Sequence, residues 1–285
     1  AETGVQGVFL TTLETWQESS SPRVSLIMRL VMTGETPEIV WIDSVGLTGE
    51  DTLGLLGIGR IKDSRQLLNK AFDQLLDSFQ NYLAGKMPEY RYAENVQMEL
   101  LNAGRKTADE SLGPLKNHLR PQFSYRASTF DPAGNYTVAV IPFLNINARK
   151  HAGKIVALHI VKQLHRYANI RVYEPGLVRE TLLRYRMIMQ SGPSLAASDV
   201  LSNEKILGAD LVVSGKVFDF QGDVGESKVD FSIQAFDGKQ REVVWASRSY
   251  ATGNAGVYFY DFGKIPSAHG LVSRMTRAVI EQLEE

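Results

Sequence analysis

Side chains capable of acid–base or metal chemistry occur in this 285-residue chain, but their spacing does not arrange them for it. The histidines are His118, His151, His159, His165 and His269. His151 and His159 fall near one face of a helix and His165 far round it, and no acidic residue completes an H-E-x-x-H pattern. Solvated or partly packed imidazoles are the default, and no metal or cofactor is expected. Asp43, Asp51, Asp230 and Asp237 lie in or beside hairpins, where turns and solvated strand faces account for them without a catalytic carboxylate pair. The nearest approach to a nucleophile elbow, "VSGK", lacks the leading glycine and sits in a predicted strand. The glycine-rich stretches "GLLGIGR" and "GNAGVYFYDFGK" lack the order of a phosphate loop and read as loops before packed helices. The reading is therefore non-enzymatic.

Two weaker sites remain. The stretch "LNINARK" follows a predicted strand, and open α/β sheets bind ligands at the carboxyl ends of their strands. Asn145, Asn147, Arg149 and Lys150 are thus the candidate small-ligand loop. The run "VYFYDFG" places aromatic rings on both sides of an extended backbone, so Tyr258, Phe259, Tyr260 and Phe262 form the candidate protein interface.

The elements that would position these residues are written twice. "EIVWIDSVGLTG" near the start is matched by "EVVWASRSYATG" near the end, and from Val40 onward the two align without a gap on Val244 to Leu283. Val40/Val244, Trp41/Trp245, Thr48/Thr252, Gly49/Gly253, Gly59/Gly263, Ile61/Ile265 and Leu67/Leu271 are identical pairs at one constant offset. A helical stripe follows in each copy, Leu68, Ala71, Leu75, Phe79 against Val272, Met275, Val279, Leu283, so both helices should bury one face on a sheet. Each tryptophan reads most simply as sheet–helix core. Upstream, Val24, Leu26, Met28, Leu30 and Val229, Phe231, Ile233, Ala235 alternate one register apart. That slip belongs in the turns "TGETPE" and "DGKQRE", since shifting a strand by one residue exchanges its faces. Further back, Gly7 is set against Gly215, with a longer polar connection, "ETWQESSSPR", in copy one.

Copy two also has a forepart. It comprises a strand at 136–143, a helix over about 149–168, a strand at 170–174, a helix "GLVRETLLRYRMIMQ" and a short helix near "ASDVLSNEKILG". Val178, Leu182, Tyr185 and Met189 give the second helix its core face, and Glu180 to Arg184 is a supporting i, i+4 pair. The organisation expected is α/β (α+β): tandem copies of a mixed-sheet domain packed with helices, the first lacking its N-terminal half, which is expected upstream of Ala1. Residues 1–80 form the back half of the first domain, 81–135 a structured connector and 136–285 the complete second domain.

Composition excludes broad classes. With 31 basic against 32 acidic residues, the footprint of a nucleic-acid binder is missing. No run approaches the roughly 18 apolar residues of a membrane helix. Cysteine is absent, so disulfide and thiolate chemistry are excluded.

The strand "YTVAVIPF", then a helix, "NIRVYEP", a helix and "ILGADLVVSGKV" with an alternating hairpin ending in "VVW" together resemble the periplasmic α/β domain family of the TolB amino-terminal domain and CsgG, which includes LpoB and FlgT. The resemblance implies a protein of the periplasm at the outer membrane, and a scaffold that oligomerises, as a ring in some members, to support a secretion, flagellar or surface-structure assembly. Its partners would be other envelope proteins and further copies of itself, with membrane attachment only through a partner or an anchor outside this chain. The alternative within the family is a monomeric adaptor that activates a cell-wall synthase, and an envelope enzyme is a distant third. The chain departs from the family in having no lipobox cysteine, no long amphipathic insertion for a transmembrane hairpin and no following propeller.

Overall fold

The structure is a computed structural model and describes residues 4–34, 36–51, 60–86, 117–187, 191–222, 226–257 and 264–283. It is an α+β protein built on two sheets. The first sheet is an antiparallel meander, β1 (Gly7–Gln17), β2 (Arg23–Met32) and β3 (Glu38–Thr48), followed by helix α1 (Ser64–Leu83). The second is mixed. Its strands are β4 (Phe123–Arg126), β5 (Tyr136–Val140), β6 (Leu144–Asn145), β7 (Ile170–Val172), β8 (Leu211–Gln221), β9 (Lys228–Asp237) and β10 (Glu242–Thr252). They run in the order β4-β10-β9-β8-β5-β7, with β6 also on β8, and β5 is parallel to both β7 and β8. Helices α2 (Ala152–Leu164), α3 (Pro175–Arg184), α4 (Leu195–Ser202) and α5 (Ala268–Glu281) complete it.

The sequence match between the halves has a geometric basis. β1, β2 and β3 have 11, 10 and 11 residues, and so have β8, β9 and β10. Each meander contains two β-bulges, where one strand inserts an extra residue against its partner. The extra residues are Glu14 and Val40 in the first, Phe218 and Val244 in the second, matching at the same offset as the tryptophans. The β2–β3 connection, 33–37, is one residue longer than its counterpart, 238–241, which accounts for the displaced alternation. The shared Thr-Gly also has a cause. Gly49 and Gly253 each donate to the preceding hairpin, at Pro22 and Ser227, and accept from Ile61 and Ile265. A Cβ at either glycine would collide with the isoleucine carbonyl oxygen. Asp63 and Ser267 then cap the helices, accepting from Arg65 N at 2.9 Å and Gly270 N at 3.1 Å.

Several expectations need correction. The bulges align Gly7 with Leu211 rather than Gly215, and β1 continues through Gln17, into the stretch expected to be a long polar connection. Helix α3 ends at Arg184, so Tyr185 leaves the apolar stripe and is exposed; Met189 lies outside the described residues. In α1 the buried centre is Leu67, Ala71 and Leu75, with Leu68 and Phe79 only partly buried. Within the expected connector, Phe123–Arg126 is a strand, pairing antiparallel with β10.

Burial orders these elements into alternating layers of helix and sheet. Helix α1 covers one face of the first sheet with Val24, Leu26, Met28 and Trp41. Helices α2 and α5 lie between the sheets, where Ile27, Val31, Ile39 and Ile42 join the core that also contains Val138, Val213, Trp245 and Met275. Helices α3 and α4 cover the far face of the second sheet through Val178, Leu182, Ala197 and Leu201. No described helix is long and apolar enough to cross a membrane.

Candidate functional site

The layer between the first sheet and helices α2 and α5 contains buried polar groups, and they meet in clusters. Glu14, the bulge residue of β1, turns its carboxylate inward with 2% of the side chain exposed. His269, near the start of α5, places Nδ1 2.5 Å from Glu14 Oε2. His159, in the middle of α2 and fully buried, places Nε2 3.1 Å from Glu14 Oε1, in a geometry that makes no hydrogen bond. The imidazole rings meet edge to face, 4.9 Å apart. Gly46 of β3 makes room, because a Cβ there would run into the His269 ring. The three ligand-type atoms all lie within 4.8 Å of one another.

Burial alone would raise the Glu14 carboxyl, but the two imidazoles facing it outweigh that and hold it well below the usual carboxylate range. Burial pushes His159 down, against the pull of Glu14. His159 Nδ1 has no hydrogen-bond partner among the described residues, and a buried polar atom so left costs about 1–3 kcal/mol.

Two ion pairs flank this triad. Lys162, one turn along α2 from His159, lies 2.9 Å from Asp43 Oδ1 and donates to Ser44 Oγ at 2.9 Å. Ser78 of α1 donates to the other Asp43 oxygen at 2.5 Å. Asp43 is therefore a buried ion-pair member, which corrects the solvated strand face expected of it: β3 is an edge strand, and helices from both sides reach its side chain. Arg29 of β2 pairs with Glu174 Oε1 at 2.9 Å, while Glu174 Oε2 caps α3 by accepting from Leu177 N at 3.0 Å. Arg23 donates to the Gly222 carbonyl. Breaking any buried pair strands a charge, so these contacts weld the two sheets in one register.

The candidate small-ligand loop lies at one end of this seam. Asn145 Nδ2 donates to the Arg149 carbonyl at 2.7 Å, and Asn147 Oδ1 accepts from Arg149 N at 2.6 Å, so both amides organise their own loop. Arg149 donates to Glu14 O at 3.1 Å and Thr15 Oγ1 at 2.8 Å on β1 and lies over the Phe220 ring. Lys150 is exposed. Tyr258, Phe259, Tyr260 and Phe262 lie outside the described residues. His151 is exposed at the N-cap of α2 and takes no part in the triad.

A second feature is the open edge of the first sheet. Among the described residues β1 pairs only with β2, whereas its counterpart β8 is also bonded to β5 and β6. Val8, Phe9, Leu13 and Trp16 on β1 are exposed, while Val212, Val213, Val217 and Phe220 at the matched positions of β8 are buried. Another terminal strand, β4, exposes Phe123 and Tyr125.

No family model matches the chain, and no curated protein matches it. Among solved structures, the PelC dodecamer of Paraburkholderia phytofirmans is similar at 18% identity over 54% of this chain and 98% of that one, with a TM-score of 0.32. Lipoprotein GNA1162 of Neisseria meningitidis is similar at 15% identity over 52% and 97%, with a TM-score of 0.36. The LpoB C-terminal domain of Escherichia coli is similar at 11% identity over 41% and 82%, with a TM-score of 0.31. Likenesses this partial assign neither a function nor a partner.

Proposed function

We propose that this protein is a non-enzymatic scaffold of the bacterial cell envelope that works by binding other copies of itself through the open edge of β1. The observation that carries the reading is the contrast between β1 and β8: the same strand plan buries its apolar side chains in one copy and exposes them in the other. An edge of that length offers unpaired backbone donors and acceptors beside a row of apolar side chains, the arrangement used in strand addition. β4, at the edge of the other sheet, supplies a second apolar edge. Joining one to the other is a head-to-tail contact, which closes into a ring when the rotation per subunit permits. Placement in the periplasm at the outer membrane rests on the resemblance of "YTVAVIPF" and "GADLVVSG" to the family named above. The division at residues 80 and 135 and the assignment of both units to that family belong to the same proposal.

Light scattering of the purified chain, beside a Phe9→Lys/Leu13→Lys variant, tests it. A discrete oligomer that the variant dissolves into folded monomers supports the reading. A uniform monomer removes self-assembly and leaves the adaptor reading, and an oligomer indifferent to the variant removes β1 as the contact.

A further inference from the structure

We propose that Glu14, His159 and His269 form a binding site for one divalent first-row transition cation, Zn2+ or a close analogue, that clamps β1 onto helices α2 and α5. Two imidazoles and a carboxylate are a ligand set that such cations take, ahead of the all-oxygen sets of calcium and magnesium. The ligands come from three separate elements, and their ligand atoms lie within 4.8 Å of one another. Around a tetrahedral ion with bonds of about 2.0–2.1 Å, neighbouring ligand atoms stand roughly 3.3 Å apart. The imidazoles face different oxygens of the one carboxylate, His159 Nε2 at 3.1 Å from Oε1 and His269 Nδ1 at 2.5 Å from Oε2, so the side chains must shift to share one ion. The His269–Glu14 contact, at 2.5 Å, must open by less than an ångström.

Three further observations favour an ion over a simple ion pair. His159 is fully buried and its Nε2 lies 3.1 Å from Glu14 Oε1, in a geometry short of a hydrogen bond. His269 and Glu14 are buried beside it, with 7% and 2% of their side chains exposed, so the cluster is closed off from solvent. Gly46 clears the space His269 occupies. The matched positions of copy two, Phe218 for Glu14 and Tyr250 for Gly46, contain none of this chemistry, so the site is a property of the packed pair of sheets and not of the repeated unit. Nearby cationic charge does not compete for the site: Lys162 is directed to Asp43 and Arg149 to the β1 backbone and Thr15. The role inferred is to hold a strand to two helices in a buried seam, with the fourth position of the ion left to a solvent molecule or other small ligand.

The test uses the full chain, freed of any histidine tag and treated with a chelator, then titrated with Co2+ as the spectroscopic probe and with Zn2+ by calorimetry. One equivalent per chain is expected, with the visible absorption of low-coordinate Co2+, displacement by Zn2+ and a melting temperature that Zn2+ raises and chelator lowers. His269→Gln, which keeps a polar group of similar size, should abolish the equivalent while circular dichroism remains native. His151→Gln should leave it intact. No stoichiometric binding by the unmodified chain, or binding that survives in folded His269→Gln, would overturn the site. If His269→Gln does not fold, the Co2+ and Zn2+ titrations of the unmodified chain and of His151→Gln decide between these outcomes.

Discussion

The two meander-plus-helix units differ most where their backbones agree best. Trp41 and Trp245 occupy matched bulge positions, both are 2% exposed, both pack beneath the following helix and both leave the indole N–H without a partner. Around them the filling is not the same. Trp41 stands edge-on to Phe79 at 5.3 Å and to Phe9 at 6.3 Å, while the matched residues beside Trp245 are Leu283 and Val213, which line a small apolar cleft. The opposite face diverges further. In the first unit it buries Ile27, Ile42 and the ion pairs of Arg29 and Lys162 against the second unit's helices. In the second unit the matched face of β9 and β10 carries Ser232, Gln234 and Ala246, all only partly buried. The two units thus share backbone and helix seating, and differ in the neighbour that each outward face meets.

Removing the shared anchor tests that equivalence most severely. Trp41→Ala and Trp245→Ala are each expected to cost about 3–5 kcal/mol in urea denaturation, with similar values, since both leave a large cavity under a helix. A loss confined to one of them would break the comparison. The divergent face should be as sensitive but respond differently: Lys162→Met, which leaves the Asp43 carboxylate buried without its cation, should cost about 3–5 kcal/mol, and adding Asp43→Leu should recover most of it. The aromatic difference can be sharpened by transplanting it. Leu283→Phe, giving copy two the ring that Phe79 supplies in copy one, should fill the cleft beside Trp245 and stabilise by about 0.5–2 kcal/mol.

The smallest effect is in pH. His165, at the end of α2, is pushed down by burial, against the Val40 carbonyl and Glu38. Below the ordinary histidine value the unfolded chain takes up a proton that the native chain resists, so this group's contribution to stability falls as pH drops from about 6.5. The slope is at most about 1.4 kcal/mol per pH unit, and His165→Gln should flatten it in denaturation midpoints measured between pH 7 and 5.

Much of the fold is readable from the chain because its signals are local. The helical stripes, the tryptophan strands and the displaced alternation depend on neighbours within one unit, and the periodicities of 3.6 and 2 report them directly. β4 is not readable: all four of its residues are exposed, so it carries no alternating face to find. The bulges at Glu14 and Phe218 are invisible for a related reason, since an extra residue looks like any other until its partner strand is in place. The triad is the least legible of all. Its members stand far apart in sequence, and helical spacing groups His159 with His151, whereas the structure turns it towards residues of β1 and α5. Only the stacking of one unit on the other brings them together, and nothing in one strand or helix records that stacking.

The bulge in β1 has a consequence for what each unit can carry. A residue outside the alternation of its strand belongs to neither face, so its identity can change without moving any other side chain out of register. At that single free position one copy carries a carboxylate and the other carries Phe218, whose ring lies 3.6 Å beneath the guanidinium of Arg248. The inserted residue is thus the point at which two strands of one plan take up unrelated chemistry while keeping a common frame.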